Sequence, residues 1–61
     1  MRIRKLRKIR GITLEKLAQE TGMGYSYLSE LENNKHSISI NNLQKLAAYF
    51  NVNLIHFLEQ D

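Results

Sequence analysis

The chain has 61 residues, of which 43% are hydrophobic and 25% are charged, and its formal net charge is +3. This length excludes a multidomain enzyme, and the composition is too apolar for a disordered tail. There is no cysteine, which excludes disulfides and thiolate metal sites and leaves stability to an apolar core. We therefore expect one domain over residues 1–61.

The sequence predicts neither a membrane anchor nor a secretion signal. No apolar run approaches the roughly 20 residues needed to span a bilayer, and the basic start lacks the apolar segment of a signal peptide. We expect a cytoplasmic protein that has no membrane partner.

The positive charge is concentrated at the start of the chain. Six of the nine basic residues lie among the first ten, where there is no acidic residue, and the remainder carries three lysines against six acidic residues. Such a cluster is typical of binding to nucleic acid or to another anionic surface. A solvated helix face has the same composition, so charge alone leaves both interpretations open.

The spacing of apolar residues predicts an all-α domain with five helices, because they recur at intervals of three and four and proline is absent. A stripe through Ile3 and Leu6 stops at Gly11, which suits the left-handed turn that closes a helix. Thr13 is a suitable N-cap for the second helix, and Gly22 to Gly24 connect it to the third. The predicted ranges are about 2–10, 14–21, 25–33, 40–50 and 54–59.

The last two helices are predicted from their caps and stripes. Ser39 is suited to begin the fourth helix, Asn51 to end it in a left-handed conformation, and Asn53 to begin the fifth. Their inward-facing residues are expected to be Ile40, Leu43, Leu46, Ala47, Phe50, Leu54, Phe57 and Leu58.

The second and third helices have the spacing of a helix-turn-helix. In that motif two short helices are joined by three or four residues, one commonly glycine, and the second helix enters the major groove. Many helical hairpins share this spacing, so it does not identify the motif by itself.

Two opposite charges are predicted to face the core. At about 100° per residue, Arg7 falls on the apolar side of the first helix and Glu32 on that of the third. A lone buried charge is costly, so we predict that these two side chains form a structural salt bridge. The alternative is that each extends from a helix edge into water.

A further pattern runs through nearly the whole chain, at Ile3, Leu6, Arg7, Gly11-Ile12-Thr13, Leu17-Ala18, Leu28-Ser29-Glu30-Leu31-Glu32-Asn33, Leu43, Leu46-Ala47, Phe50, Asn51-Val52-Asn53 and Leu54. In these residues the sequence resembles the lambda-repressor and Cro-like (Xre) helix-turn-helix DNA-binding domains. The run from Ser26 to Ser29 looks most like the SinR-type branch of bacterial regulators. The resemblance implies a five-helix lambda-repressor-like fold with the helix-turn-helix at helices 2 and 3, and an internal salt bridge at Arg7 and Glu32.

The chain departs from the family pattern at several positions. Leu14 stands where the family commonly has a glutamine that bonds a phosphate, which leucine cannot do. Gly24 replaces the usual Ser or Thr cap of the third helix, Asn34 occupies a glycine position, and Ile38 stands where proline is frequent.

The side of the third helix opposite its apolar stripe supplies the candidate DNA-binding residues. Hydroxyl and carboxylate groups can bond base edges, and a tyrosine ring can contact a thymine methyl group or donate to phosphate. We expect base preference to come from Tyr25, Ser26, Ser29 and Glu30, with Tyr27 at the flank, and backbone contacts from Asn33 and Lys35. The resemblance implies base contacts at Tyr25, Ser26 and Glu30. In a rival interpretation Tyr25 and Tyr27 pack against the second helix.

Other basic residues are also candidates for contacts with DNA phosphates. Lys16, Arg10 and the outer basic residues of the first helix are candidates, although the latter also fit a merely solubilising role. His36 and His56 have no adjacent nucleophile and no metal-ligand spacing, so we expect no enzyme activity, no metal and no cofactor.

We therefore expect a sequence-specific DNA-binding transcriptional regulator, acting as a repressor by groove occupancy and associated with the nucleoid when bound. A symmetric homodimer through Val52 and Ile55 would read a near-palindromic duplex; alternatively these two residues close the monomer core. The rival function is a protein-interaction module of the same fold, antitoxin-like or regulator-binding, with weak DNA affinity. Glu30 and the absence of basic residues on the third helix favour that rival, whereas Lys35 and the basic first helix oppose it.

Overall fold

A computed structural model of the protein describes residues 1–58. Its elements are α1 (Ile3–Arg10), α2 (Leu14–Thr21), α3 (Tyr25–Glu32), α4 (Ile40–Phe50) and α5 (Leu54–Leu58). Over these residues there is no strand, which confirms the predicted all-α class. The first helix begins one residue later and the third ends one residue earlier than predicted. The expected end of the last helix, near Glu59, lies outside the described residues.

Side-chain caps fix where three of the helices begin. The hydroxyl oxygens of Thr13 and Ser39 accept the backbone N–H three residues onward, at 3.0 and 3.2 Å. Asn53 Oδ1 accepts the N–H of Ile55 at 2.8 Å. Each bond satisfies an amide that has no partner within its own helix, so these helix starts follow from local sequence.

Left-handed residues end α1 and α4 and lie shortly after α3. Gly11 closes α1 with φ of +66°, and Asn51 closes α4 with φ of +56°. Asn34, shortly after α3, also has φ of +56°. Glycine and, less readily, asparagine adopt this conformation at small cost, so the chain turns sharply at these points without severe strain.

The core receives residues from all five helices. Its buried members are Ile3, Leu17, Leu28, Leu31, Leu43, Leu46, Ala47, Phe50 and Phe57. The rings of Phe50 and Phe57 stack with centroids 6.2 Å apart, which joins α4 to α5. No helix within residues 1–58 is long and apolar enough to cross a membrane.

Two residues predicted to face the core are exposed instead. Ile40 is 59% exposed, because it is the first residue of α4 and burial along that helix starts only at Asn42. Leu58 is 47% exposed at the last residue of α5, a five-residue helix in which Phe57 alone is buried. The apolar pattern predicts which side of each helix faces the core, but it does not predict how many residues along that side other helices cover.

Candidate nucleic-acid interface

A short turn sets the position of α3 relative to α2. Gly22 closes α2 with φ of +74°, and its N–H donates to Ala18 O at 2.9 Å. The hydroxyl of Thr21 donates to Leu17 O at 2.8 Å and accepts the N–H of Met23 at 3.3 Å. These bonds hold the three-residue connection that the helix-turn-helix spacing predicted.

Helix α3 has an anchored side and an outward side. Leu28 and Leu31 are buried in the core. On the other side the structure brings together Tyr25, Ser26 and Glu30, all exposed, with Ser29 half-buried beside them. This outward surface offers three hydroxyls and one carboxylate, groups that donate to or accept from base edges, and α3 carries no Lys or Arg.

Tyr27 differs from Tyr25 in its surroundings. It is half-buried against the core, and its hydroxyl accepts Asn42 Nδ2 at 3.0 Å. Its ring also meets the ring of His36 edge-on, with centroids 5.1 Å apart. Tyr27 is therefore a packing residue that contacts α4 and the loop before it. Its ring is less available to a ligand than the ring of Tyr25.

Arg7 and Glu32 form an ion pair between α1 and α3. Arg7 Nε lies 2.6 Å from Glu32 Oε2, and Arg7 Nη2 lies 3.3 Å from Oε1, so the contact is bidentate. Arg7 Nη1 donates to Ile12 O at 3.1 Å. The Glu32 side chain is 4% exposed and that of Arg7 is 15% exposed, so neither extends into water. Such charge-assisted pairs fix geometry as well as energy, and this one fixes the end of α3.

A second arginine joins this pair. Arg4 Nε lies 3.4 Å from Glu32 Oε1, and Arg4 Nη2 donates to Asn33 Oδ1 at 3.2 Å. Asn33 Nδ2 in turn donates to Ser29 O at 2.8 Å. Sequence reasoning missed Arg4 here, although residues three apart on a helix are neighbours and Arg4 precedes Arg7 by three. Both ends of the Asn33 side chain thus have partners within the protein.

Arg10 and Lys16, considered above for phosphate contacts, have partners elsewhere in the fold. Arg10 Nη2 donates to Phe50 O at 2.5 Å, and its guanidinium lies 5.6 Å from the centroid of the Phe50 ring. Arg10 therefore stabilises the C-terminal end of α4, where cations are favoured. Lys16 Nζ lies 3.3 Å from Glu20 Oε2. By contrast Lys35, the third residue after α3, is exposed.

Glu20 and Tyr49 connect α2 to α4. The Tyr49 hydroxyl donates to a Glu20 carboxylate oxygen. This hydrogen bond, with a smaller effect from Lys16, lowers the pKa of the Glu20 carboxyl below its ordinary value. The same bond raises the pKa of the Tyr49 phenol. The α2–α4 contact is thus sensitive to proton uptake by Glu20.

Across residues 1–58, no three His, Cys, Asp or Glu side chains are grouped so that they could hold a metal ion. His36 Nδ1 lies 2.9 Å from Ser37 O, within its own loop.

Comparison with known proteins identifies the family. A family model described as Helix-turn-helix matches residues 3–57, from the first residue of α1 to Phe57 in α5. Searches of curated proteins and of solved structures found no match. The match includes α2, the three-residue turn with its glycines and α3. The chain therefore belongs to the lambda-repressor-like (Xre) helix-turn-helix family of DNA-binding regulators of transcription.

Proposed function

We propose that this protein is a sequence-specific repressor that inserts α3 into the major groove of duplex DNA and blocks transcription by occupying its site. The observation that carries the proposal is the two-sided α3. Leu28 and Leu31 anchor the helix in the core, while Tyr25, Ser26 and Glu30 are exposed together. Direct readout requires a firmly held helix with a polar outward surface.

The chemistry of the outward surface suggests what it reads. The Glu30 carboxylate would be repelled by phosphates, so in a groove its favourable partner is a base-edge donor such as the cytosine amino group. Ser26 and Ser29 can bond several base edges, and the exposed ring of Tyr25 can contact a thymine methyl group or donate to phosphate.

Attraction to the DNA backbone must come from outside α3, since that helix has no cation of its own. Lys35 is exposed just beyond it, and its backbone N–H donates to Glu30 O at 2.8 Å. We assign Lys35 and Asn33 to phosphate contacts, with Lys35 supplying charge and Asn33 a neutral bond from the second N–H of its Nδ2, the one not donated to Ser29 O.

We also propose that the protein binds DNA as a symmetric homodimer. One recognition helix reads only a few base pairs, too few to select a genomic site. Ile55 on α5 is 76% exposed and Leu58 beside it is also exposed, whereas Val52 packs against the core. A second copy would cover Ile55 and Leu58, and the two recognition helices would lie about 34 Å apart on a near-palindromic site. In this proposal residues 1–61 act as one domain, in the cytoplasm and at the nucleoid when bound.

The test is selection of bound duplexes from a random-sequence pool, followed by gel shifts at low and moderate salt. Glu30→Ala should relax preference at one base position while other positions keep theirs. Glu15→Ala is the matched control, because it removes the same charge from an exposed position on α2. If the pool yields no enriched sequence and no shift appears at low salt, the DNA proposal is refuted.

A second candidate function has one observation in its favour. The only charged side chain on the outward surface of α3 is the Glu30 carboxylate, which suits a basic protein surface better than a polyanion. Under this alternative the domain binds a partner regulator or toxin, and Glu30→Ala weakens that complex without altering DNA affinity.

A further inference from the structure

Three charged side chains meet where α1 crosses the C-terminal end of α3. The single carboxylate of Glu32 is contacted by both Arg7 and Arg4. This cluster therefore contains two positive charges and one negative charge, and one positive charge is not neutralised within it.

The two arginines are not equivalent in what they can still bind. Arg7 is 15% exposed, and its Nε, Nη1 and Nη2 atoms all donate within the protein, to Glu32 and to Ile12 O. Arg4 is 48% exposed, and its contact with Glu32 is longer, at 3.4 Å against 2.6 Å for Arg7. The positive charge that Glu32 does not neutralise is therefore the solvent-exposed charge of Arg4.

One edge of the Arg4 guanidinium is held in place while the other is open. Its Nε faces Glu32 and its Nη2 donates to Asn33 Oδ1 at 3.2 Å. Its Nη1 makes no hydrogen bond to any atom of residues 1–58. A guanidinium oriented in advance loses less freedom on binding an anion than a free side chain does.

The position of Arg4 relates it directly to α3. Asn33 follows the last residue of α3, and its Nδ2 donates back to Ser29 O at 2.8 Å. Arg4 is therefore fixed beside the C-terminal end of the helix assigned to the groove. Lys35, two residues after Asn33, is exposed in the same connection.

We propose that Arg4 binds a phosphate of the DNA backbone, with Lys35 making a second such contact near the same end of α3. This inference rests on the proposed function. Glu32 and Asn33 act as positioning residues, because they orient the guanidinium. A planar fork of N–H donors matches phosphate oxygens, so α1 supplies a cation that α3 lacks.

The experiment measures DNA affinity of the full chain against salt concentration, by fluorescence anisotropy on a selected duplex. Arg4→Gln should weaken binding about tenfold at low salt, as expected for loss of a charged hydrogen bond. It should also reduce the slope of log affinity against log salt by about 0.9, the value for one phosphate. Arg4→Lys, which keeps the charge but loses the fork, should retain the slope and show a smaller loss of affinity.

Lys45→Gln is the matched control, because Lys45 is exposed on α4 and its loss changes the net charge equally. Its slope should equal that of the wild type. Equal slopes and affinities for Arg4→Gln and Lys45→Gln, with both variants folded by circular dichroism, would overturn this inference and leave the proposed function standing. A wild-type protein that binds no duplex at any salt would overturn the proposed function and this inference with it.

An NMR arm separates duplex phosphate from any phosphate. The Arg4 Cζ resonance should move on adding the duplex and stay in place with inorganic phosphate at the same ionic strength. Equal movement with both would overturn the assignment to the DNA backbone.

Discussion

Removing the Arg7 guanidinium tests whether the ion pair with Glu32 holds α1 to α3. In Arg7→Met the Glu32 carboxylate, 4% exposed, keeps a single ion-pair partner among residues 1–58, Arg4 at 3.4 Å. Breaking a buried pair from one side costs about 3–5 kcal/mol. Because Arg4 remains, we expect the lower end, about 3 kcal/mol. A domain of this size has about 3–9 kcal/mol of stability in total, so a third or more of it should be lost.

The assay is urea unfolding followed by circular dichroism, with the single variants Arg7→Met and Glu32→Gln. The double variant Arg7→Met/Glu32→Leu leaves no unpaired buried charge, so it should lie within about 1 kcal/mol of the wild type. Lys5→Met, an exposed site on the same helix, should change stability by less than about 0.5 kcal/mol. The reasoning is refuted if both single variants keep the wild-type unfolding midpoint.

Three further predictions concern binding, protonation and assembly. Lys35→Ala should weaken binding to all DNA sequences and reduce the slope of log affinity against log salt by about one unit. The control Lys45→Ala, on α4, should change neither quantity. A changed sequence preference in Lys35→Ala would contradict its role as a phosphate contact. Tyr49→Phe should raise the pKa of the Glu20 carboxyl toward its ordinary value, read from its NMR titration, because the main cause of the lowering is lost. Because the pKa of Glu20 is lower in the folded protein than in the unfolded chain, this contact stabilises the fold above the ordinary pKa, and the stabilisation disappears as pH falls through the folded value. If the Glu20 titration is the same in Tyr49→Phe as in the wild type, the hydrogen bond is not the cause of the lowered pKa. Ile55→Lys should reduce the stoichiometry on operator DNA from two chains to one, measured by sedimentation, and one chain per site in the wild type would reject the dimer.

The helix boundaries could be predicted because they depend on short-range chemistry. A hydroxyl at Thr13 or Ser39 caps the amide three residues onward, and Gly11 and Asn51 accept the left-handed conformation. Each of these effects involves residues within about one turn, so the sequence contains all the information needed.

What the sequence did not contain is how far neighbouring helices extend. Helical angle gives the side on which Ile40 lies, but exposure depends on whether another helix covers that turn. The contact of Arg10 with Phe50 O joins residues 40 positions apart, and no local rule predicts it. For the same reason Arg4 was missed, since its partner Asn33 comes close only once α1 and α3 have packed.

One hydrogen bond between the ends of the fold has a consequence for synthesis on the ribosome. The N–H of Arg2 donates to Phe57 O at 3.1 Å, and Ile3 and Phe57 are both fully buried. Contacts between such distant residues carry a large loop-closure entropy and form late. When α1 to α4 have emerged from the ribosome but Phe57 has not, the nascent chain therefore lacks the residue that closes the core. Because α1 belongs to that core through Ile3 and holds α3 through the Arg7–Glu32 pair, we expect α3 to reach its final orientation only after α5 has emerged.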